Sequence, residues 1–269
     1  MRQLGLYVLL FAGLVVFAYP FVWMAIATFT PEAEIPELTL WPSRWTLAHY
    51  RLVFDRIPID RALLNSIMVA VAVTTSALVL NSMAAYALAK LHWRGRETVF
   101  TLILFTLMVP FLLLLIPLYT LVVRLGWTDS LLGLIVPFMA NATGVLILRQ
   151  SFLTIPKDLL DAARIDGCGE LRILFTIVWP LSVPALVTVG LLTFMGSWNE
   201  VLWPILVVRE LKWMTMPQMV ALFAVGGGAE GQLGPQLAAA FLLALPIVVA
   251  YLFFQRYFIQ SFATGGLKG

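Results

Sequence analysis

Long apolar runs separated by short charged gaps dominate the chain. Asp, Glu, Lys and Arg are absent from residues 3–31, 62–89, 98–123, 130–148, 173–199 and 231–255. The shortest run has 19 residues, and a bilayer-spanning helix needs about 20. The pattern predicts an all-α, polytopic membrane protein with six transmembrane helices, at about 4–29, 63–89, 99–123, 130–148, 183–203 and 235–255. Pro110, Pro117, Pro137, Gly144 and Pro246 lie inside these runs. They do not disqualify them, because neighbouring helices can satisfy the backbone groups that a proline frees. Residues 173–182 carry Pro180 ahead of Pro184, so the fifth span proper starts near Val183. A further uncharged run, 213–229, holds Pro217 and three consecutive glycines and reads as a loop with a short surface helix. No gap is long enough for a separate soluble domain, so residues 1–269 read as one membrane domain.

Composition agrees with lipid as the solvent. The chain is 61% hydrophobic and 12% charged, against about 45–50% and about 25% in soluble domains. The basic excess of 17 over 14 is too small and scattered for a nucleic-acid footprint, and no nucleic-acid partner is expected. His49 and His92, both among charged loop residues, make no metal-ligating cluster, and Cys168 has no internal disulfide partner. Arg2, the apolar run behind it and Ala25-Ile26-Ala27 imitate a signal peptide. Residues 4–24, however, exceed the roughly 7–15 apolar residues of such a segment, and the stretch reads as a true span. Lys and Arg are about twice as dense in the N-terminus, 90–97, 149–172 and the tail as in the alternate gaps. That bias places both termini and the 149–172 loop in the cytoplasm.

Residues 149–172 hold eight of the 31 charges, four of each sign. Pro156 suits a helix start, Lys157-Asp158 open its first turn, and Gly167 can take the left-handed conformation that ends it. A second short helix from about Glu170 is expected to stop before Pro180. The small Ala162 and Ala163 lie mid-helix, where another protein's surface can approach the backbone closely. The segment reads as a stiff helix–glycine–helix elbow.

This elbow resembles the EAA loop of ABC-importer membrane subunits: Glu-Ala-Ala, three residues, Gly, nine residues, Ile-x-Leu-Pro. Here it runs Asp161-Ala162-Ala163, Gly167, then Ile177-Val178-Trp179-Pro180, with every spacing kept and with Asp for Glu and Trp for Leu. Asn65-Ser66, Ala84 to Ala89, Ile116-Pro117-Leu118-Tyr119, Ser197-Trp198-Asn199-Glu200 and the tail Gln255-Arg256-Tyr257-Phe258 through Gly269 resemble the carbohydrate-uptake branch. The resemblance implies a non-catalytic permease subunit of a bacterial or archaeal inner membrane. Loop 151–182 would dock on a cytoplasmic ATPase dimer, with ATP and Mg held by that partner and no cofactor bound by this chain. It further implies a second permease subunit of a different chain and an extracytoplasmic solute-binding protein. The expected coupling residues are Asp161, Ala162, Ala163, Arg164, Asp166, Gly167 and Pro180.

Polar residues inside spans are expensive unless they face a partner or a wet cavity. Trp198, Asn199 and Glu200, with Tyr86, are the candidates for a sugar path, since sugars offer both hydroxyls and apolar C–H faces. Trp and Tyr near span ends also serve as interfacial anchors. The outer loop 200–230, with Gly226, Gly227 and Gly228, is expected to be long and flexible and to meet the binding protein. No GxxxxGK[ST] occurs, so energy must come from elsewhere. A self-sufficient secondary transporter or channel is the alternative, with Glu200 as a thin basis for ion coupling.

Overall fold

The computed structural model describes residues 2–38 and 41–265, with side chains at 5–38 and 41–249. Among these residues there is no strand. The α-helices are α1 Arg2–Ala27, α2 Ala48–Arg56, α3 Ile59–Lys90, α4 Arg96–Thr106, α5 Phe111–Arg124, α6 Leu131–Ile135 and α7 Ala142–Leu153. They continue as α8 Lys157–Ile165, α9 Glu170–Ile173, α10 Trp179–Leu181, α11 Val183–Trp198, α12 Leu202–Val207, α13 Met216–Val225 and α14 Leu233–Gly265.

Two helices, α1 and α3, are long and apolar enough to cross a membrane unbroken. Three bent pairs are long and apolar enough when taken together: α4 with α5 at 99°, Leu131–Phe138 with α7 at 41°, and Glu170–Leu181 with α11 at 91°. The described residues therefore supply two spans, or five if each bent pair is one, rather than six. The sixth expected span falls on α14, whose described side chains end at Val249. Proline explains where two of the breaks lie. Pro110 precedes α5 at φ −60, ψ 134, and a proline pushes the residue before it away from helical geometry. The fifth break falls at Ser182, just ahead of Pro184, so α11 starts at Val183 as its sequence suggests.

The chain divides into two compact units, Met1–Arg61 with Met216–Leu252 and Ala62–Thr215 with Phe253–Gly269. In the first, the Glu32 carboxylate caps α14, taking the Leu233 N–H at 2.6 Å and the Gly234 N–H at 2.8 Å. Such a charge satisfies donors that a helix start leaves orphaned. His49 is buried and bonds the Thr30 carbonyl at 2.7 Å. A Cβ at Gly234 would stand 2.3–2.5 Å from its ring, so only glycine admits this approach. Within 213–229, expected as a loop with a short surface helix, residues 216–225 form the helix α13, and Met216, Met219 and Phe223 are buried rather than on the surface. Gly226 to Gly228 close the turn behind it. A Cβ at Gly226 would lie 2.5 Å from the Leu222 carbonyl, and one at Gly228 2.6 Å from the Phe223 ring.

The second unit has a core in which Ala85, Tyr86, Leu88 and Ala89 of α3 meet Leu148 and Phe152 of α7, Leu160 and Ala163 of α8, and Ile173, Leu174 and Val178. Most polar residues inside its spans serve packing. Asn65 donates to the Lys212 and Met214 carbonyls at 3.0 and 2.9 Å, and Ser76 bonds back to Ala72 at 2.7 Å. Asn81 takes the Asn141 N–H at 3.0 Å, while Asn141 caps α7 through the Gly144 N–H at 2.7 Å.

Candidate functional site

The segment from Ile155 to Leu181 forms the elbow. Pro156 precedes α8 at φ −58, ψ 137, and Gly167 follows it at φ +80. The Cys168 N–H reaches the Ala163 carbonyl and the Gly167 N–H the Arg164 carbonyl, each at 3.0 Å. These two bonds make a complete Schellman close, which requires the left-handed residue that Gly167 supplies. Beyond it, the chain does not stop before Pro180 as expected. A π-helical stretch, Leu174–Val178, leads into α10, and Pro180 falls in the first turn of that helix.

The faces of α8 are sharply divided. Leu160 and Ala163 are buried, whereas Asp161, Ala162, Ile165 and Asp166 are exposed. Only Ala162 of the alanine pair therefore offers a small surface outward; Ala163 is 7% exposed and packs on the chain's own core. Trp179, standing where the family pattern has Leu, packs edge-on against Phe175 with centroids 5.0 Å apart.

Arg164 locks the elbow. Its Nε donates to Glu170 Oε1 at 2.8 Å and its Nη2 to Oε2 at 3.2 Å, a fork spanning Gly167, while Nη1 reaches Asp161 at 2.6 Å. Tyr86 of α3 adds its O–H to the same Glu170 carboxylate. The Arg164 guanidinium holds the Glu170 carboxyl below the ordinary carboxylate range, and Tyr86 adds to this against partial burial. Glu170 in turn raises Arg164 above its usual value. Being partly exposed, each pair contributes about 0.2–1 kcal/mol, so the pairs fix geometry more than they stabilise. Sequence reading assigned Glu170 no role, because its partners depend on the turn at Gly167. Tyr86, expected on a sugar path, is 3% exposed and bonds into this network.

A second feature of the same unit is a cavity of about 240 Å³. Val69 and Val73 of α3, Phe138, Asn141, Thr193, Ser197, Glu200, Trp203 and Thr215 are among its walls. Of the Trp198-Asn199-Glu200 candidates, only Glu200 lines it. Its Oε1 accepts the Trp203 N–H at 3.0 Å, which holds the carboxylate at the start of α12. Trp198 is 1% exposed and stacks on Phe194 at 5.8 Å. Asn199 turns back to the Met195 carbonyl at 2.9 Å. Trp203, a turn beyond those candidates in the sequence, donates Nε1 to the Gly133 carbonyl at 2.9 Å and meets Phe138 edge-on at 5.9 Å. Thr215 is 5% exposed and its hydroxyl has no partner among the described residues. Buried hydroxyls are normally paired; those of Thr74, Ser82 and Ser182 also lack a partner among the described residues, and of these four only Thr215 lines the cavity. Gly226, Gly227 and Gly228 belong to the other unit, where they form the turn described above.

The fold and the site define a polytopic helical membrane protein with a stiff elbow between two of its candidate spans. The chain belongs to the family of binding-protein-dependent transport system inner membrane components, whose model matches residues 77–263. It is 34% identical over 256 residues to the arabinooligosaccharides transport system permease protein of Halalkalibacterium halodurans, covering 93% of this chain and 91% of that one. It is 35% identical over 231 residues to the sn-glycerol-3-phosphate transport system permease protein of Yersinia pestis, covering 86% and 82%. The trehalose/maltose transport system permease protein of Thermococcus litoralis is 32% identical over 272 residues, covering 97% of both chains. Among solved structures, a chain of a bacterial ABC transporter involved in importing the acidic polysaccharide alginate matches with a TM-score of 0.79 at 25% identity, covering 96% and 97%.

Proposed function

We propose that this chain is the permease subunit of an ABC importer for a sugar or sugar derivative, forming half of the translocation pathway in an inner membrane. The observation that carries the proposal is the elbow: a helix closed by a full Schellman motif, locked by Arg164 and Glu170, with Asp161 and Ala162 facing outward. A rigid-body push is transmitted only by a rigid lever. Loop 151–182 would dock on a cytoplasmic ATPase dimer, which binds ATP and Mg, and both termini would be cytoplasmic. A second, different permease chain would complete the pathway, and an extracytoplasmic solute-binding protein would deliver substrate. The carbohydrate permeases among the relatives support the substrate class, as does the cavity, which sets aromatic Phe138 and Trp203 beside the polar Glu200, Thr193 and Thr215. At about 240 Å³ the cavity lies below the usual range for small-molecule pockets, about 300–1,000 Å³. It suits one ring of a sugar at a time.

The test is to isolate the chain with its neighbouring gene products and to crosslink from Cys168. Capture of the ATPase, together with uptake of one member of a sugar panel that needs the binding protein, is the expected result. Active transport by the chain alone would overturn the reading. Glu200→Gln and Thr215→Val should lower uptake while ATPase capture stays unchanged.

A further inference from the structure

We infer that Tyr86 and Lys90 of α3 are positioning residues through which motion of the elbow reaches the transmembrane helices. The inference rests on the reading of loop 151–182 as the ATPase-coupling element. Tyr86 and Lys90 are four residues apart, so they share one helix face, and they are 3% and 5% exposed. The Lys90 Nζ donates to the Ile155 carbonyl at 2.6 Å, just ahead of Pro156 and α8. The Tyr86 hydroxyl donates to Glu170, the first residue of α9, which also carries the Arg164 fork. The coupling helix α8 is thus gripped before its first residue and beyond its last by two side chains one turn apart on α3.

The sequence neighbours of the loop are α7 and α11, yet the fixture is on α3, 65 and 84 residues away. Two attachment points constrain rotation as well as translation; a single one would let α8 pivot. The choice of helix fits the task. The other candidate spans of this unit are bent by 99°, 41° and 91°, whereas α3 runs unbroken from Ile59 to Lys90. On the same helix, Val69 and Val73 form part of the cavity wall. A push on α8 is therefore delivered to the one unbent rod that borders the cavity. The chemistry of Lys90 argues against a packing role alone, because apolar residues fill a core without the cost of burying an ammonium group.

The experiment uses the complete transporter in proteoliposomes, with substrate uptake and binding-protein-stimulated ATP hydrolysis measured together. Tyr86→Phe and Lys90→Met each remove one donor, and Lys90→Arg keeps one. Uptake per ATP should fall about fivefold in each of the first two, the order of one lost hydrogen bond. It should stay within about twofold of the parent in Lys90→Arg, which retains a charged donor. Cys168 should still crosslink to the ATPase in every variant. An unchanged uptake-to-ATP ratio with intact crosslinking would overturn the inference while leaving the coupling reading in place. Absence of any crosslink in the parent would remove the coupling reading itself, and the inference with it. Should Lys90→Met fail to assemble, Tyr86→Phe, which removes a single oxygen, carries the test alone.

Discussion

Gly167 allows backbone geometry to be separated from space. Its φ is +80, and no heavy atom lies within 4 Å of the position a Cβ would take. An added Cβ therefore meets nothing beyond the adjoining residues, and the chief cost is the left-handed backbone, about 1–2 kcal/mol for an ordinary L-residue. Asn adopts that region more readily, and a β-branched residue least of all. A cost of 1–2 kcal/mol raises the opened fraction of the elbow roughly 5–30-fold. The amides of Gly167 and Cys168 close the motif, so their hydrogen-exchange rates report its opening directly. Exchange should be slowest in the parent and quicken through Gly167→Asn and Gly167→Ala to Gly167→Val. Uptake per ATP should decline in the same order. Ala is smaller than Asn, so better performance by Gly167→Ala than by Gly167→Asn would mean that room, not backbone, limits the site. That result would refute the lever argument as built here.

Other expectations follow from single contacts. A Cβ at Gly144 would stand 2.2 Å from Asn81 Nδ2, so Gly144→Ala should destabilise the detergent-solubilised protein by about 1–3 kcal/mol, the usual cost of overpacking. In a double-mutant thermal-melt cycle, Asn81→Ala should relieve part of that loss. The Asp129 carboxylate accepts the Arg209 and Glu210 N–H groups at 2.6 and 2.8 Å, and these bonds hold its pKa below the ordinary value. Its stabilisation is therefore full above the unfolded carboxylate range, near pH 4, and is lost as pH falls through the depressed native value. The stability gap between the parent and Asp129→Asn should narrow as melts are taken below about pH 4. Glu32→Ala removes the cap of α14 and should cost about 0.5–2 kcal/mol, measurable as a lower melting temperature.

The elbow was legible because its determinants are local. A glycine with small and charged residues at fixed spacing specifies a Schellman close whatever surrounds it, and a proline two residues past a break marks the start of α11 at Val183. What escaped depends on packing between distant segments. Ala162 and Ala163 read alike along the chain, and only the core beneath α8 decides that Ala163 faces in. Tyr86 read as a sugar-path candidate, and its hydrogen bond could not be foreseen because its partner is 84 residues away. Trp198 read as a sugar-path candidate for the same reason, and it is almost fully buried against Phe194. The apolar run 98–123 looked continuous. Whether a proline such as Pro110 kinks or breaks a span depends on what satisfies the freed backbone.

The polar residues within the spans can be sorted by what they already bond. Asn65, Ser76, Asn81 and Asn141 each bond backbone of their own helix or of a neighbouring segment. In an apolar solvent such bonds hold helices together. Asn199 is likewise occupied by the turn before it. Two polar residues of the cavity wall stand apart: Thr215, whose hydroxyl has no partner among the described residues, and Glu200, held in place by the Trp203 N–H. Thr74, Ser82 and Ser182 also carry buried hydroxyls without a partner among the described residues, but none of them lines the cavity. A buried hydroxyl without a partner costs about 1–3 kcal/mol, and a chain that only had to pack could place Val there at no such cost. The unfilled bond therefore points to a guest that fills it. Thr215→Val should accordingly leave the melting temperature equal to or above that of the parent while uptake falls. A protein both less stable and fully active would show that Thr215 serves the fold instead.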